Sequence, residues 1–182
     1  LKVCLFEKIS KIGNRIRCGE AMSMNALKYF FEIKKEWISQ EISYCNINAP
    51  SGTRLRTQFK SDKCLILNRT IFDYDLSLMA QREGCDIFTK TIVKDLIFKD
   101  DYVRGVVIEK ENKEHNIKAK LVIAADGIES RIGRKAGIKT QVRMKDMESG
   151  IQYLVDEIDI DSDALDMYVG SEIAPGGYLW VF

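Results

Sequence analysis

An acidic residue followed by glycine, at the carboxyl end of an apolar run, is a place where a chain can meet a hydroxyl-rich or phosphorylated ligand. The stretch "AADGIESRIG", residues 124–133, has this form after Leu121, Val122 and Ile123. Asp126 can accept hydrogen bonds from ribose or ribityl hydroxyls, or order the turn itself. Gly127 permits a tight turn. Ser130 can cap the following helix and leave its amides free, and Arg131, Arg134 and Lys135 favour an anion nearby.

Four other stretches carry comparable chemistry. Glu7 closes the opening strand "LKVCLFEK". An acidic residue in that position of a dinucleotide-binding unit accepts from the adenosine ribose, whereas elsewhere it is simply a solvated charge. The glycine-rich turn that accompanies it belongs about 20 residues earlier, ahead of Leu1. In "RCGEA", Gly19 allows close backbone approach to a ligand, and Cys18 sits where a helix start favours thiolate character. In "NRTIFDYDL", Arg69 can hold a pyrophosphate as a bidentate donor or merely flank a helix, while Phe72 faces the core. In "APGGYLWVF", Tyr178, Trp180 and Phe182 fall on one face of a strand, as core or as the wall of an apolar pocket.

These residues need scaffolding, and the composition supplies it. The 182 residues are 46% hydrophobic, enough for a substantial core. Charged residues reach 30%, but 28 Lys+Arg stand against 27 Asp+Glu. That balance gives no global field for nucleic acid. The five cysteines are widely spaced without a CxxC pair, which argues against a disulfide framework and a zinc site and fits a reducing cytoplasm. The single histidine, His115, falls in a polar stretch read as a hairpin turn, so histidine-based triads and metal sites lack support. No apolar run approaches the length of a membrane-spanning helix. The first residue is Leu1 and the last run is strand-like, so the chain reads as a fragment of a longer protein.

The pattern predicts a strand over residues 1–7, a helix from Ala21 to Trp37, then strand, turn and strand around Pro50 and Gly52. "KCLILN" reads as a strand and "RTIFDYDLSLMAQREG" as a helix ending at Gly84. A three-stranded meander follows, with turns at "KDD" and around Asn112. It leads into a buried strand at Leu121–Ala125, a helix over Ser130 to Ala136, and longer strands after Gly137. The expected fold is α/β, α+β in part: a Rossmann-type domain over 1–142 with an inserted meander, then the start of a sheet-rich substrate domain over 143–182.

In order and spacing, "LFEK…IRCGEA…NRTIFD…AADGIESRIGRKAG…APGGYLWVF" resembles the archaeal geranylgeranyl reductases, in the flavin-dependent superfamily of p-hydroxybenzoate hydroxylase. The resemblance runs over essentially the whole chain. It implies FAD as cofactor, with Glu7 on the ribose, Cys18, Gly19 and Ala21 along the flavin, and Arg69 toward the pyrophosphate. It also implies a backbone contact from Val93 near the adenine, Asp126-Gly127 as the second FAD fingerprint, and Tyr178, Trp180 and Phe182 as a substrate pocket. The implied reaction is saturation of carbon–carbon double bonds in a geranylgeranyl or prenylated glycerophospholipid substrate. Cys18 then shapes or protonates the reacting end, and reduced ferredoxin or NAD(P)H supplies electrons.

Peripheral membrane contact, a cytoplasmic location, and no metal or nucleic acid complete the expectation. A flavin monooxygenase or halogenase of the same superfamily is the rival enzyme, and a degenerate, non-enzymatic chain the rival outside enzymes. With the first glycine-rich turn and the later Gly-Asp flavin motif both lying outside it, the fragment alone is expected to be inactive.

Overall fold

A computed structural model describes residues 1–14, 18 and 20–182. Along the chain, β1 (Val3–Phe6) precedes β2 (Ala21–Ser23), α1 (Met24–Phe30), β3 (Ile38–Ile42), β4 (Tyr44–Asn48), β5 (Arg54–Gln58) and β6 (Cys64–Leu67). Then come α2 (Arg69–Arg82), β7 (Cys85–Phe88), β8 (Thr91–Lys99), β9 (Tyr102–Lys110), β10 (Lys113–Lys118), α3 (Arg131–Lys135), β11 (Ala164–Val169) and β12 (Tyr178–Val181). The fold is mixed α/β. The chain forms two compact units, one from residues 1–14 and 74–147, the other from residues 15–73 and 148–182, with the boundary inside α2.

In the first unit β1 and β7 form a parallel pair, Val3 opposite Cys85 and Phe6 opposite Phe88. The meander β8–β9–β10 is antiparallel throughout. Its tight turns place Asp100, Asp101, Glu111 and Asn112 at positive φ, where short polar side chains are tolerated best. Leu96, Val106, Ile108 and, from α3, Ile132 make the core, with Phe6, Val93 and Val122 packed against it. Lys135 reaches Asp95 at 3.0 Å and ties α3 to β8. That bond and the Leu96 amide lower the Asp95 pKa, the amide being the larger cause.

The second unit holds two sheets, ordered β12–β11–β4–β5 and β2–β6–β3. Ile42, Cys45, Ile66 and Leu165 form one core cluster, with Ile47, Cys64, Met167 and Phe182 against it. A second focus is aromatic: Trp37 lies 5.1 Å from Phe72 and 6.1 Å from Phe31, all edge-on. Ser23 starts α1 by accepting from the Ala26 amide at 3.0 Å. Asp62 accepts from the Ser23 hydroxyl and from the Asn25 amide, which lowers its pKa.

Four local expectations are corrected. The predicted helix over 21–37 is cut at both ends. Ala21–Ser23 pairs with β6 as a strand, and the helix stops at Phe30 because Phe31 turns inward to the Trp37–Phe72 cluster. Leu121–Ala125 forms no strand; Leu121 is 77% and Ile123 82% exposed. An apolar run becomes a strand only where a neighbour takes its amides, and no described strand pairs with it. The same holds for "SGIQYLVDEIDI", where no strand forms. His115 lies not in a turn but within β10, opposite Ile108.

Candidate active site

In the first unit, β1 delivers Glu7 to its carboxyl end. The Glu7 amide donates to the Phe88 carbonyl at 2.9 Å, and its carbonyl accepts from the Thr91 amide at 3.0 Å. Those bonds bring the start of β8, and so Val93, to the same end of the unit. Oε1 of Glu7 accepts from the Ile9 amide at 3.0 Å and orders the loop. A ribose hydroxyl would be taken by Oε2.

The Asp126-Gly127 turn is built differently from the sequence expectation. Ser130, expected to cap α3, makes no side-chain capping bond and sits at φ 39°. Asp126 does the capping instead, its Oδ2 accepting from the Ile132 amide at 2.8 Å. The left-handed Ser130 holds its hydroxyl over Gly133 without bonding a helix amide, while Asp126 meets the free Ile132 amide from across the turn. Gly127 has φ +75°, and a Cβ built there would meet no atom within 4 Å. The Gly127 backbone is thus open to a ligand, on the side where only glycine is unstrained.

In the second unit, β2 and β6 bring Glu20 and Ala21 beside the start of α2. Ala21 pairs with Ile66, and the Leu67 amide donates to the Glu20 carbonyl at 3.1 Å. Gly19, like Arg17, lies outside the described residues. Cys18 is exposed. Arg69 opens α2, and its Nε and Nη2 donate to the Asp73 carboxylate at 2.7 and 2.9 Å. This forked bond, against some desolvation, raises the Arg69 pKa; Asp73, Cys18 and Glu20 add to it through charge. Cys18, Glu20, Ala21 and Arg69 are therefore one neighbourhood, whereas Glu7, Val93, Asp126 and Gly127 belong to the other unit.

Two members of the neighbourhood were missed by sequence reasoning. Asp73 was legible as the i,i+4 partner of Arg69. Glu20 was quoted within "RCGEA" and given no role, although a charged residue beside a candidate thiol is itself a signal. Tyr178 and Trp180 lie two residues apart on β12, and Phe182 follows just beyond its end. Their rings stack edge-on at 5.3 and 5.9 Å. Phe182 packs into the core, while Tyr178 and Trp180 are exposed.

The donor set fits a flavin nucleotide. In the first unit a strand-end carboxylate and an open left-handed glycine suit ribose hydroxyls and a nucleotide backbone; in the second, by itself, a forked guanidinium suits a phosphate. Among the described residues no group of His, Cys, Asp and Glu could hold a metal ion.

Comparison with known proteins agrees. The chain is 40% identical, over its whole length, to a digeranylgeranylglycerophospholipid reductase of Methanocella arvoryzae, and covers 47% of that protein. It spans about half the length of the curated relatives it matches. A crystal structure of a geranylgeranyl bacteriochlorophyll reductase-like protein from Thermoplasma acidophilum superposes with a TM-score of 0.85 at 30% identity, covering 100% of this chain and 47% of that one. A flavin-dependent brominase matches 74% of this chain and 35% of its own with a TM-score of 0.62 at 20% identity, a likeness of fold alone. The FAD binding domain model matches residues 9–176. The chain thus belongs to the FAD binding domain family.

Proposed function

We propose that the full-length protein is an FAD-dependent reductase that saturates carbon–carbon double bonds of geranylgeranyl chains in archaeal membrane-lipid precursors. The observation that carries the reading is the end-to-end likeness to proteins named digeranylgeranylglycerophospholipid reductase. The likeness includes the span from "RCGEA" to "YLWVF". The brominase likeness, being of fold alone, supports no rival activity.

Bound and reduced, FAD supplies hydride to the alkene. The residues of this chain do the rest. Glu7 takes the ribose through Oε2. Asp126 keeps its turn closed and the Gly127 backbone open for the nucleotide. Val93 gives a backbone contact near the adenine. Arg69 approaches the pyrophosphate with Nη1, since Nε and Nη2 are held by Asp73. Cys18, Gly19 and Ala21 lie along the flavin, and Cys18 provides the proton at the reacting end. Tyr178, Trp180 and Phe182 line the wall against which the prenyl chain packs and water is excluded. Reduced ferredoxin or NAD(P)H is the electron donor. No described helix is long and apolar enough to cross a membrane; in this reading the protein meets the lipid-bearing membrane peripherally, drawn there by its substrate.

The experiment is reduction of a geranylgeranyl glycerophospholipid by purified full-length protein with FAD and dithionite, followed by mass spectrometry. A gain of H2 for each saturated bond is expected. Oxygen consumption with aromatic hydroxylation or halogenation, and no alkene saturation, overturns the reading.

A further inference from the structure

Residues 131–145 hold six cations and no carboxylate, in a chain whose net charge is +1. The six, Arg131, Arg134, Lys135, Lys139, Arg143 and Lys145, are all exposed. Three have anionic neighbours: Arg131 meets Glu129 at 2.8 Å, Lys135 meets Asp95 at 3.0 Å and Arg143 meets Asp146 at 2.7 Å. Arg134, Lys139 and Lys145 pair with no carboxylate among the described residues. The surface therefore carries a local surplus of three positive charges, where the whole chain has a surplus of one.

The backbone gathers these groups instead of letting them trail away. α3 ends where Gly137 takes φ 79°, and the Ile138 amide donates back to the Gly133 carbonyl at 3.1 Å. The Thr140 amide donates to the Ile138 carbonyl at 2.9 Å, and the Thr140 side chain lies against Gly133. Folded back in this way, the chain shapes an open depression of about 430 Å3 lined by Arg134, Gly137, Ile138, Lys139 and Gln141. Farther on, Met144 opens a short turn, Met144–Asp146. Met144 is 81% and Ile138 60% exposed. Apolar side chains set among unpaired cations match the two layers of a lipid surface, phosphates outside and acyl chains beneath. A single-stranded nucleic acid would need aromatic platforms, and residues 131–147 hold none.

We propose that this face of the first unit docks on a membrane rich in anionic phospholipid. Arg134, Lys139 and Lys145 take headgroup phosphates, and Ile138 and Met144 enter the layer beneath. The proposal rests on the reading above, in which the substrate is itself a membrane lipid, and deepens it by naming the surface that brings the enzyme there.

The test is flotation of full-length holoenzyme with vesicles of phosphatidylcholine, alone or mixed with phosphatidylglycerol. Wild type should float only with the mixed vesicles and be released by high salt. Lys139→Glu with Lys145→Glu should weaken that partition roughly thirtyfold. Ile138→Ser with Met144→Ser should weaken it roughly tenfold. Both variants should keep the flavin absorbance of wild type and its rate on detergent-dispersed lipid, and lose rate only on vesicle-borne lipid. Should the charge-reversed pair lose its flavin, Lys139→Gln with Lys145→Gln replaces it. No flotation of wild type, or equal flotation of the charge variant, overturns the proposal. Release by inorganic phosphate at constant ionic strength, the mark of a site for a single anion, overturns it too. So does binding to polyglutamate without flotation, the mark of an acidic protein partner. A wild type that floats but saturates no alkene overturns the functional reading and leaves the docking surface standing.

Discussion

The carboxylate of Asp126 accepts the amide of Ile132 at 2.8 Å, six residues along the chain. The bond spans the Gly127 turn and anchors α3, whose Ile132 is part of the first unit's core. Asp126→Ala in the full-length protein is expected to cost about 1 kcal/mol of stability, as loss of a helix cap does. Asp126→Asn should retain most of it. The check is the urea midpoint, with an unchanged m-value showing that the state reached on unfolding is the same.

Gly105 lies where β9 and β10 leave no room for a side chain. It has φ +156°, and a Cβ there would fall 2.1 Å from the Ile117 carbonyl oxygen, a backbone atom that cannot swing aside. Gly105→Ala must therefore push β9 away from β10. A loss on the order of 3 kcal/mol is expected, in the range of severe single substitutions. Hydrogen exchange should show it as early opening of amides in Lys113–Lys118.

Asn46 is fully buried in β4, and neither polar atom of its amide has a partner among the described residues. Its strand neighbours are Arg56 and Asp166, which pair outward with Asp161 and Arg54. Replacing the amide by an apolar group of similar volume removes two unmet hydrogen-bonding demands. Asn46→Leu should raise stability by about 1 kcal/mol, and Asn46→Asp should lower it by more. Thermal midpoints of the two variants against wild type decide it.

The raised pKa of Glu20 makes a signed prediction for stability against pH. The native carboxyl holds its proton more tightly than the unfolded one. Its contribution is therefore present below the unfolded pKa and lost as pH rises through the native value. Glu20→Gln removes that loss. The stability of the variant relative to wild type should climb across this window, from weakly acidic pH upward, and level off above it. A flat difference across the same window would contradict the direction.

The sequence made the elements built from neighbours legible. The meander was announced by "KDD" and by Asn112, whose residues take the positive φ that such turns need. The α2 helix followed from apolar spacing around the buried Phe72. Elements decided at long range were hidden. Ala21–Ser23 continues a helical pattern and becomes a strand because β6 offers it hydrogen bonds. Leu121–Ala125 has the composition of a buried strand, but composition does not supply a neighbour. In the site, the Asp126-Gly127 turn was visible in outline while its capping residue was not, because the cap comes from Asp126, six residues before Ile132, rather than from Ser130 beside the helix. The charge of Glu20 was legible, but its backbone was not: nothing in its neighbours announces a glutamate at φ 60°.

The parallel pairing of β4 with β11, Tyr44 opposite Ala164, carries a cost during synthesis. The β4–β5 hairpin leaves the ribosome early, and β6 to β10 emerge next. Until Ala164–Val169 follows, one edge of β4 displays unsatisfied amides and carbonyls to any extended chain it meets. Translation stalled between Glu148 and Ala164 would leave that edge as a template for aggregation. The rate at which ribosomes traverse this interval therefore sets how long that edge of β4 waits for its partner.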